Sequence, residues 1–342
     1  MGSEVIRVGL VGYGLAGSVF HAPLIRACGR MDLTAVLTSR DAPKRVDSLE
    51  DLIEACKLVV VASPNTSHFP IARQALEAGC HVVVDKPFTV TIDEADELIR
   101  IAAERQSLLS IFHNRRWDGD FLTVREVLPQ LGDVLLFEAA WDRFRPAIKP
   151  GWREQPEPGA GLWNDLGPHM IDQALQLFGI PDSIEADIFA QRADAAVDDY
   201  FDVSLHYGTC RVRLRSSSLV ADPRPRFAVH GTAGSFVKFG LDPQEAQLKD
   251  GMNPNDPDFA LDTPDGTLTF GDGTQDRVPT TRGRWVSFYE AIAAAILDGA
   301  PLPVDPADAR TGLALIDLAR RAASSGQRLR FPDANLTAAP AP

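Results

Sequence analysis

Three residues have the types and spacing for acid–base chemistry on an alcohol: Lys86, Asp165 and His169. Lys86 directly follows the apolar run His81–Asp85 and precedes Pro87, which fixes backbone direction at the end of an expected parallel strand. His169 follows Gly167-Pro168, and proline suits the first helical position, so the imidazole is expected in the first turn of a helix running from about Pro168 to Phe178. A positive helix end disfavours imidazolium. A neutral ring there would accept the proton of a substrate hydroxyl while hydride leaves the same carbon. Asp165, four residues earlier, would orient the ring or bind substrate, and Asp172, three residues later, shares the helical face. The blander readings are a surface lysine, a helix-capping aspartate and a satisfied core histidine. A metal centre is not expected, because His113, His169 and the carboxylates lack compact ligand spacing.

Hydride chemistry needs an acceptor, and Gly12-Tyr13-Gly14-Leu15-Ala16-Gly17 supplies a place for one. This G-x-G-x-x-G follows the apolar strand Val5–Val11 and opens a helical stretch, as a dinucleotide-binding turn does. The first glycine permits the turn, the second lets backbone approach a pyrophosphate, and the third lets the helix pack closely with its positive end toward the phosphates. At the end of the next strand the chain reads Thr38-Ser39-Arg40, with no carboxylate before Asp41. A hydroxyl and a guanidinium suit a 2′-phosphate, so NADP is favoured, with NAD the other possibility and a solvated Arg40 the bland reading. Ser63-Pro64-Asn65, His68 and Asp85-Lys86 lie at further strand ends on the same edge and complete the expected cofactor contacts.

The elements that would hold these groups fall into two kinds. Up to about Asp118, β-branched runs at Leu33–Thr38, Leu58–Ala62, His81–Asp85 and Leu108–Phe112 alternate with helical patterns at Ser48–Ala55, His68–Ala78 and Ile92–Gln106, which predicts a doubly wound α/β Rossmann domain over residues 1–118. Ser48 with Asp51, and Thr91 with Glu94, have the spacing of helix caps. From Gly119 to Pro332 the pattern changes to an α+β domain. Strand-like runs at Val134–Trp141, Ser183–Gln191, Tyr200–Tyr207, Arg211–Ser216, Phe227–His230 and Ser235–Phe239 predict a large, mostly antiparallel open sheet. The stretch Asp250–Asp276 reads as a long, partly mobile excursion, helices follow near Trp285–Leu297 and Ala307–Ala323, and residues 333–342 read as a flexible tail.

Two polar segments are candidates for holding substrate. His113-Asn114-Arg115-Arg116-Trp117-Asp118 follows the last parallel strand, and Asn114, Arg115, Trp117 and Asp118 would bind a polyol; a charged connector is the alternative for Arg115 and Arg116. The basic-aromatic stretch from Trp141 through Arg145 to Trp152-Arg153 would cover the site or meet another subunit.

Composition narrows the field further. With 47 acidic against 34 basic residues and a formal charge of −13, the balance argues against nucleic acid or an anionic membrane as the main partner, because counterion release needs a basic surface. No apolar run reaches the roughly 20 residues of a membrane span and no secretory leader is evident, so a cytoplasmic setting is expected. Cys28, Cys56, Cys80 and Cys210 have no C-x-x-C spacing and read as free, buried or half-buried thiols.

Gly12–Gly17, Asp85-Lys86-Pro87, and Ala160-Gly161 through Asp165 to His169 together resemble the glucose–fructose oxidoreductase and inositol dehydrogenase superfamily, Gfo/Idh/MocA, from about Val5 to Pro332. The resemblance implies an N-terminal Rossmann domain, a C-terminal open sheet, Lys86, Asp165 and His169 as the catalytic set, and pairing into homodimers or homotetramers through that sheet. Phe20-His21-Ala22-Pro23, Phe112–Asp120, Asp165–Gly179, Val197-Asp198-Asp199-Tyr200 and His230–Gly240 are similar to the NADP-dependent scyllo-inositol dehydrogenase-like subgroup. Asp85 stands where the family has glutamate, and Ala160 replaces one of two paired glycines. The expected activity is hydride transfer between NADP and a secondary alcohol or ketone of a cyclic polyol or sugar. The alternatives are a reductase of less polar aldehydes, ketones or dihydrodiols, redox-assisted glycoside cleavage, and a non-catalytic NADP(H)-sensing regulator.

Overall fold

A computed structural model describes residues 4–148, 151, 154–157, 159–262 and 264–331. Trp152, Arg153 and the expected tail 333–342 lie outside the described residues. Contacts divide the chain into two compact units. One comprises residues 1–127, 238–267 and 276–313, and the other 128–237, 268–275 and 314–342. The first unit is thus drawn from three stretches of chain rather than from 1–118 alone.

Six strands, β1 (Ile6–Val11), β2 (Met31–Leu37), β3 (Arg45–Val46), β4 (Leu58–Val61), β5 (His81–Val84) and β6 (Leu109–Ile111), form a parallel sheet in the order β3-β2-β1-β4-β5-β6. Strand β4 is Leu-Val-Val-Val and buried throughout, as a parallel strand covered on both faces must be. The order reverses between β1 and β4, which opens a crevice at their carboxyl ends, where doubly wound sheets bind ligands.

The α-helices among the described residues are α1 (Ala22–Ala27), α2 (Leu49–Ala55), α3 (His68–Glu77), α4 (Ile92–Arg105), α5 (Gly119–Val127), α6 (Leu162–Phe178), α7 (Gln244–Lys249), α8 (Val286–Asp298) and α9 (Pro306–Ser325). Ser48 accepts the Asp51 N–H to start α2, and Thr91 with Glu94 forms a full capping box on α4, as their spacing predicts. The first core draws on α8 as well as the parallel sheet: Trp285, Phe288, Tyr289 and Ile292 are buried with Leu10, Val60 and Val83.

The remaining strands are β7 (Val134–Ala140), β8 (Ser183–Phe189), β9 (Tyr200–Tyr207), β10 (Cys210–Ser217), β11 (Phe227–Gly231), β12 (Gly234–Lys238), β13 (Gly266–Phe270), β14 (Gln275–Val278) and β15 (Leu329–Arg330). They form one mixed sheet in the order β14-β13-β12-β11-β7-β10-β9-β8-β15. Strands β7 and β10 pair in parallel, whereas β7 with β11, β10 with β9, β9 with β8 and β8 with β15 are antiparallel. Helix α6 packs on β9 and β10, whose Phe201, Val203 and Val212 are buried.

Two expectations are corrected here. Helix α6 begins at Leu162, six residues before Pro168, so the proline sits inside it. The stretch 250–276 is not a loose excursion, because it buries Phe259 and Ala260 and contributes β13 and the start of β14. Its polar and glycine-rich composition masks two anchors: Gln247 accepts the Ala260 N–H, and Arg282 donates to the Phe259 carbonyl. Cys28, Cys56 and Cys80 are buried and Cys210 is half-buried. Among the described residues, no helix is long and apolar enough to cross a membrane.

Candidate functional site

In the first unit the glycine loop has the geometry its sequence demands. Gly12 adopts φ +93°, and a Cβ on it would lie 2.4 Å from the Ala62 carbonyl oxygen. A Cβ on Gly17 would lie 2.1 Å from the Gly12 carbonyl oxygen, whereas one on Gly14 meets nothing within 4 Å. The two outer glycines close the turn, and the middle one leaves backbone bare toward open space, the arrangement a pyrophosphate requires. Ser18 donates to the Gly14 carbonyl at 2.7 Å and stiffens the turn. Tyr13 and Ala16 are half-buried and Leu15 is exposed. At the end of β2, Ser39 and Arg40 are exposed and the Arg40 N–H donates to the Thr38 hydroxyl at 3.1 Å. These residues fit a nicotinamide dinucleotide.

Past β4 and β5 the loops are tied together. Ser63 and Ser67 share a hydrogen bond of 2.7 Å across the turn Asn65–Ser67, leaving Pro64 exposed and Asn65 half-buried. His68 was expected to meet the cofactor. Instead its ring is buried, with Nδ1 2.9 Å from the Pro87 carbonyl oxygen and Nε2 3.0 Å from that of Ser63. Having both nitrogens turned to backbone makes His68 a clamp between the two loops. Asp85 Oδ1 accepts the Lys86 N–H at 2.8 Å, and Lys86 is half-buried and joined to Pro87 by a cis bond. Burial works to raise the Asp85 carboxyl, but His21, His68 and Lys86 around it outweigh burial and hold it below the usual carboxylate range. His21 Nε2 lies 3.7 Å from Asp85 Oδ2.

The segment after β6 is not an exposed connector. Asn114, Arg115, Arg116 and Asp118 are all buried. Arg115 donates to Asp118 at 3.1 Å and to Glu245, with its guanidinium 5.4 Å from the centre of the Trp285 ring. Trp285 Nε1 donates to the other Asp118 oxygen at 2.7 Å. Burial opposes the Arg115 charge, but Asp118 and Glu245 more than offset it, so the guanidinium stays charged inside the unit. Arg115 and Asp118, expected to bind substrate, are therefore engaged in an internal network. Trp117 is half-buried, edge-on to Phe288 at 5.8 Å, and its carbonyl accepts from the Gln244 side chain and the Arg284 N–H.

In the second unit α6 carries Asp165, His169 and Asp172 at i, i+4 and i+7, on one face. Its N-terminus is capped from a distance: Asp198 accepts the Trp163 N–H at 2.7 Å through its side chain and the Leu162 N–H at 2.8 Å through its carbonyl. His169 is consequently in the third turn, and the helix-end argument for a neutral ring does not apply to it. Gly167 serves close packing, since a Cβ there would lie 2.7 Å from the Trp163 ring and 2.9 Å from Ile316. His169 and Asp172 are buried and Asp165 is half-buried. The His169 ring lies 6.4 Å from that of Trp141, at 32°. Asp165 pairs with Arg143 at 3.6 Å, and the guanidinium carbons of Arg143 and Arg226 lie 5.7 and 5.2 Å from the Trp141 ring centre. A half-buried acid and guanidinium and a buried imidazole thus gather around one indole, groups suited to hydroxyls.

Two family models match the chain. The oxidoreductase family NAD-binding Rossmann fold covers residues 6–113, and the oxidoreductase family C-terminal alpha/beta domain covers residues 127–331. The uncharacterized oxidoreductase YdgJ of Escherichia coli is 43% identical, over 92% of this chain and 96% of that protein. The scyllo-inositol 2-dehydrogenase (NADP(+)) IolW of Bacillus subtilis is 37% identical, over 96% and 95%. The solved structure of Yersinia pestis YPO2259 superposes with a TM-score of 0.94 at 41% identity, covering 97% of this chain and 99% of that one.

Proposed function

The chain belongs to the Gfo/Idh/MocA family of NAD(P)-binding oxidoreductases, and from that premise we propose that it reversibly oxidises a secondary alcohol of a cyclic polyol or sugar with NADP. The glycine loop Gly12–Gly17, Ser39, Arg40, Ser63, Pro64, Asn65 and the Asp85-Lys86 strand end would hold the dinucleotide. Bound there, it supplies the hydride acceptor. His169 takes the hydroxyl proton, Lys86 hydrogen-bonds the developing alkoxide, and Asp165, paired with Arg143, orients the imidazole or a neighbouring hydroxyl. Asn114, Trp117 and Asp172 belong to the substrate side of this reading, while Arg115 and Asp118 hold that segment in place.

The observation that carries the proposal is the face of α6 on which Asp165 and His169 stand one turn apart beside Trp141, in a chain similar over nearly its whole length to a protein named for scyllo-inositol and NADP(+). Association of two copies through the nine-stranded sheet is part of the same reading, supported by exposed Leu135 and Phe189 on its strands; light scattering on the purified protein tests it.

The activity is tested by incubating the protein with NADP or NAD and a panel of inositols, aldoses and diols while following nicotinamide absorbance. Turnover is expected with an inositol or aldose and NADP. Reduction confined to apolar aldehydes, ketones or dihydrodiols would replace the substrate class, and tight NADPH binding without turnover on any substrate would make the chain a sensor.

A further inference from the structure

The loop that follows the glycines contains a feature the proposed chemistry does not use. Residues Ala16–His21 form a π-helical turn, a rare geometry that inserts one residue and re-aims the side chains around it. It ends on His21, whose side chain is fully buried although it is polar and titratable. Its Nδ1 lies 2.5 Å from the Tyr289 hydroxyl, on α8 and 268 residues away in sequence, and its ring packs on Phe112 with centres 4.3 Å apart. Tyr289 is itself fully buried. Burial first, and then the negative charge of Asp85 and the neighbouring Cys28, push its phenol well above the usual range, so it keeps a proton to donate at any ordinary pH.

Where the phenol donates, His21 Nδ1 accepts and the neutral ring carries its proton on Nε2, the arrangement the relay takes. That nitrogen faces Asp85 Oδ2 at 3.7 Å, beyond hydrogen-bond length, so the contact is electrostatic: this tautomer turns the positive end of an N–H toward the carboxylate where the other would turn a lone pair. The second Asp85 oxygen accepts the backbone N–H of Lys86. Every member belongs to the first unit, and His68 also bears on the Asp85 charge.

We propose that Tyr289 and His21 are positioning residues for Lys86: the phenol fixes the imidazole, the imidazole holds the Asp85 carboxylate, and the carboxylate sets the backbone from which the Lys86 side chain springs. The importance of Lys86 rests on the reading given under Proposed function; the relay itself does not. It also gives the shorter acid at position 85 a partner, since His21 is brought to it by the π-turn.

Hydrogen–deuterium exchange on the full chain, without and with NADP, tests the relay at the Lys86 amide. Tyr289→Phe removes one hydroxyl and keeps the ring, so the core is preserved while the hydrogen bond is lost. Exchange at Lys86 is expected to quicken roughly tenfold in this variant, the effect of about one hydrogen bond, with β1 and β4 unchanged. His21→Ala should quicken it further, and His21→Gln, which keeps an N–H to turn toward Asp85, should recover part of the protection. In turnover with NADP and scyllo-inositol, Tyr289→Phe should lower kcat roughly tenfold while the dissociation constant for NADP changes less than about threefold. Unaltered exchange at Lys86 in both Tyr289→Phe and His21→Ala overturns the relay, whatever the turnover. Full activity in Lys86→Ala overturns the proposed catalytic role of the lysine and leaves the exchange result to decide the relay.

Discussion

Gly12 and Gly14 stand two residues apart and have different jobs. The first is required by the fold: its φ of +93° and its approach to Ala62 leave no room for a side chain. Gly12→Ala should therefore destabilise the first unit by about 1–3 kcal/mol, read as a lower urea midpoint. Nothing lies within 4 Å of a Cβ on Gly14, so Gly14→Ala should keep the midpoint and weaken NADPH binding at least roughly tenfold, read by the fluorescence of the bound nicotinamide. Wild-type binding by Gly14→Ala would deny the loop its ligand. Arg40, exposed at the end of β2, discriminates between the two dinucleotides if it meets the 2′-phosphate. Arg40→Ala should then raise the NADP dissociation constant roughly 10- to 100-fold and leave that for NAD nearly unchanged; equal effects on both would remove Arg40 from the phosphate. The glycine turn is legible in sequence because it is local, with all three glycines within six residues. His21 and Tyr289 are not: their contact joins the two ends of the first unit, and neither residue carries a local signal for it.

Elements formed by local rules came out of the sequence nearly whole. The valine-rich strands β4 and β5 and the capped helices α2 and α4 have their determinants within a few residues. Helix α6 has not. Gly167-Pro168 reads as a helix start by composition, yet the glycine is there to let Trp163 and Ile316 close on the helix, and the true start is set by Asp198, 35 residues downstream. A proline at position 168 leaves the Asn164 carbonyl without its helical donor. The distant cap, reinforced by Arg320 at 3.0 Å from the other Asp198 oxygen, offsets part of that cost. Asp198→Ala should destabilise the second unit by about 0.5–2 kcal/mol. It should also quicken amide exchange at Leu162 and Trp163 before the rest of α6. Exchange that rises uniformly along the helix would show that the cap does not set its start. The same reasoning applies to Arg115 and Asp118. Their i, i+3 spacing is visible, but Glu245, Trp285 and Gln244, which draw the segment inward, come from beyond residue 240.

At the scale of the whole molecule, the first unit is a Rossmann sheet completed by later chain. Ser110 donates to the Val304 carbonyl at 2.8 Å, and Asp242 accepts the Gly119 N–H at 2.6 Å. These returns are the part of the organisation least accessible to a linear reading, which places a boundary where the sequence grammar changes. Asp242 makes the return pH-sensitive. Burial, then the charge of Asp120, raise its carboxyl to about 6, against the hydrogen bonds that lower it. The unfolded chain releases that proton near pH 4, so between about 4 and 6 the folded state holds more protons, and this group's contribution makes stability fall as pH rises through the window. Urea midpoints measured at pH 4.5 and 7 should show this contribution as a difference between the wild type and Asp242→Asn, with the variant losing a slope of up to about 2–3 kcal/mol. Parallel slopes would contradict it.

Lys86 belongs to the first unit and His169 to the second, and the proposed reaction needs both. The most direct measurement is steady-state turnover of scyllo-inositol with NADP by the wild type, Lys86→Ala and His169→Ala, alongside NADPH binding by each. Each variant is predicted to lose roughly 10²–10⁴ in kcat and to bind NADPH within a few-fold of the wild type. Either variant turning over at the wild-type rate would contradict the account.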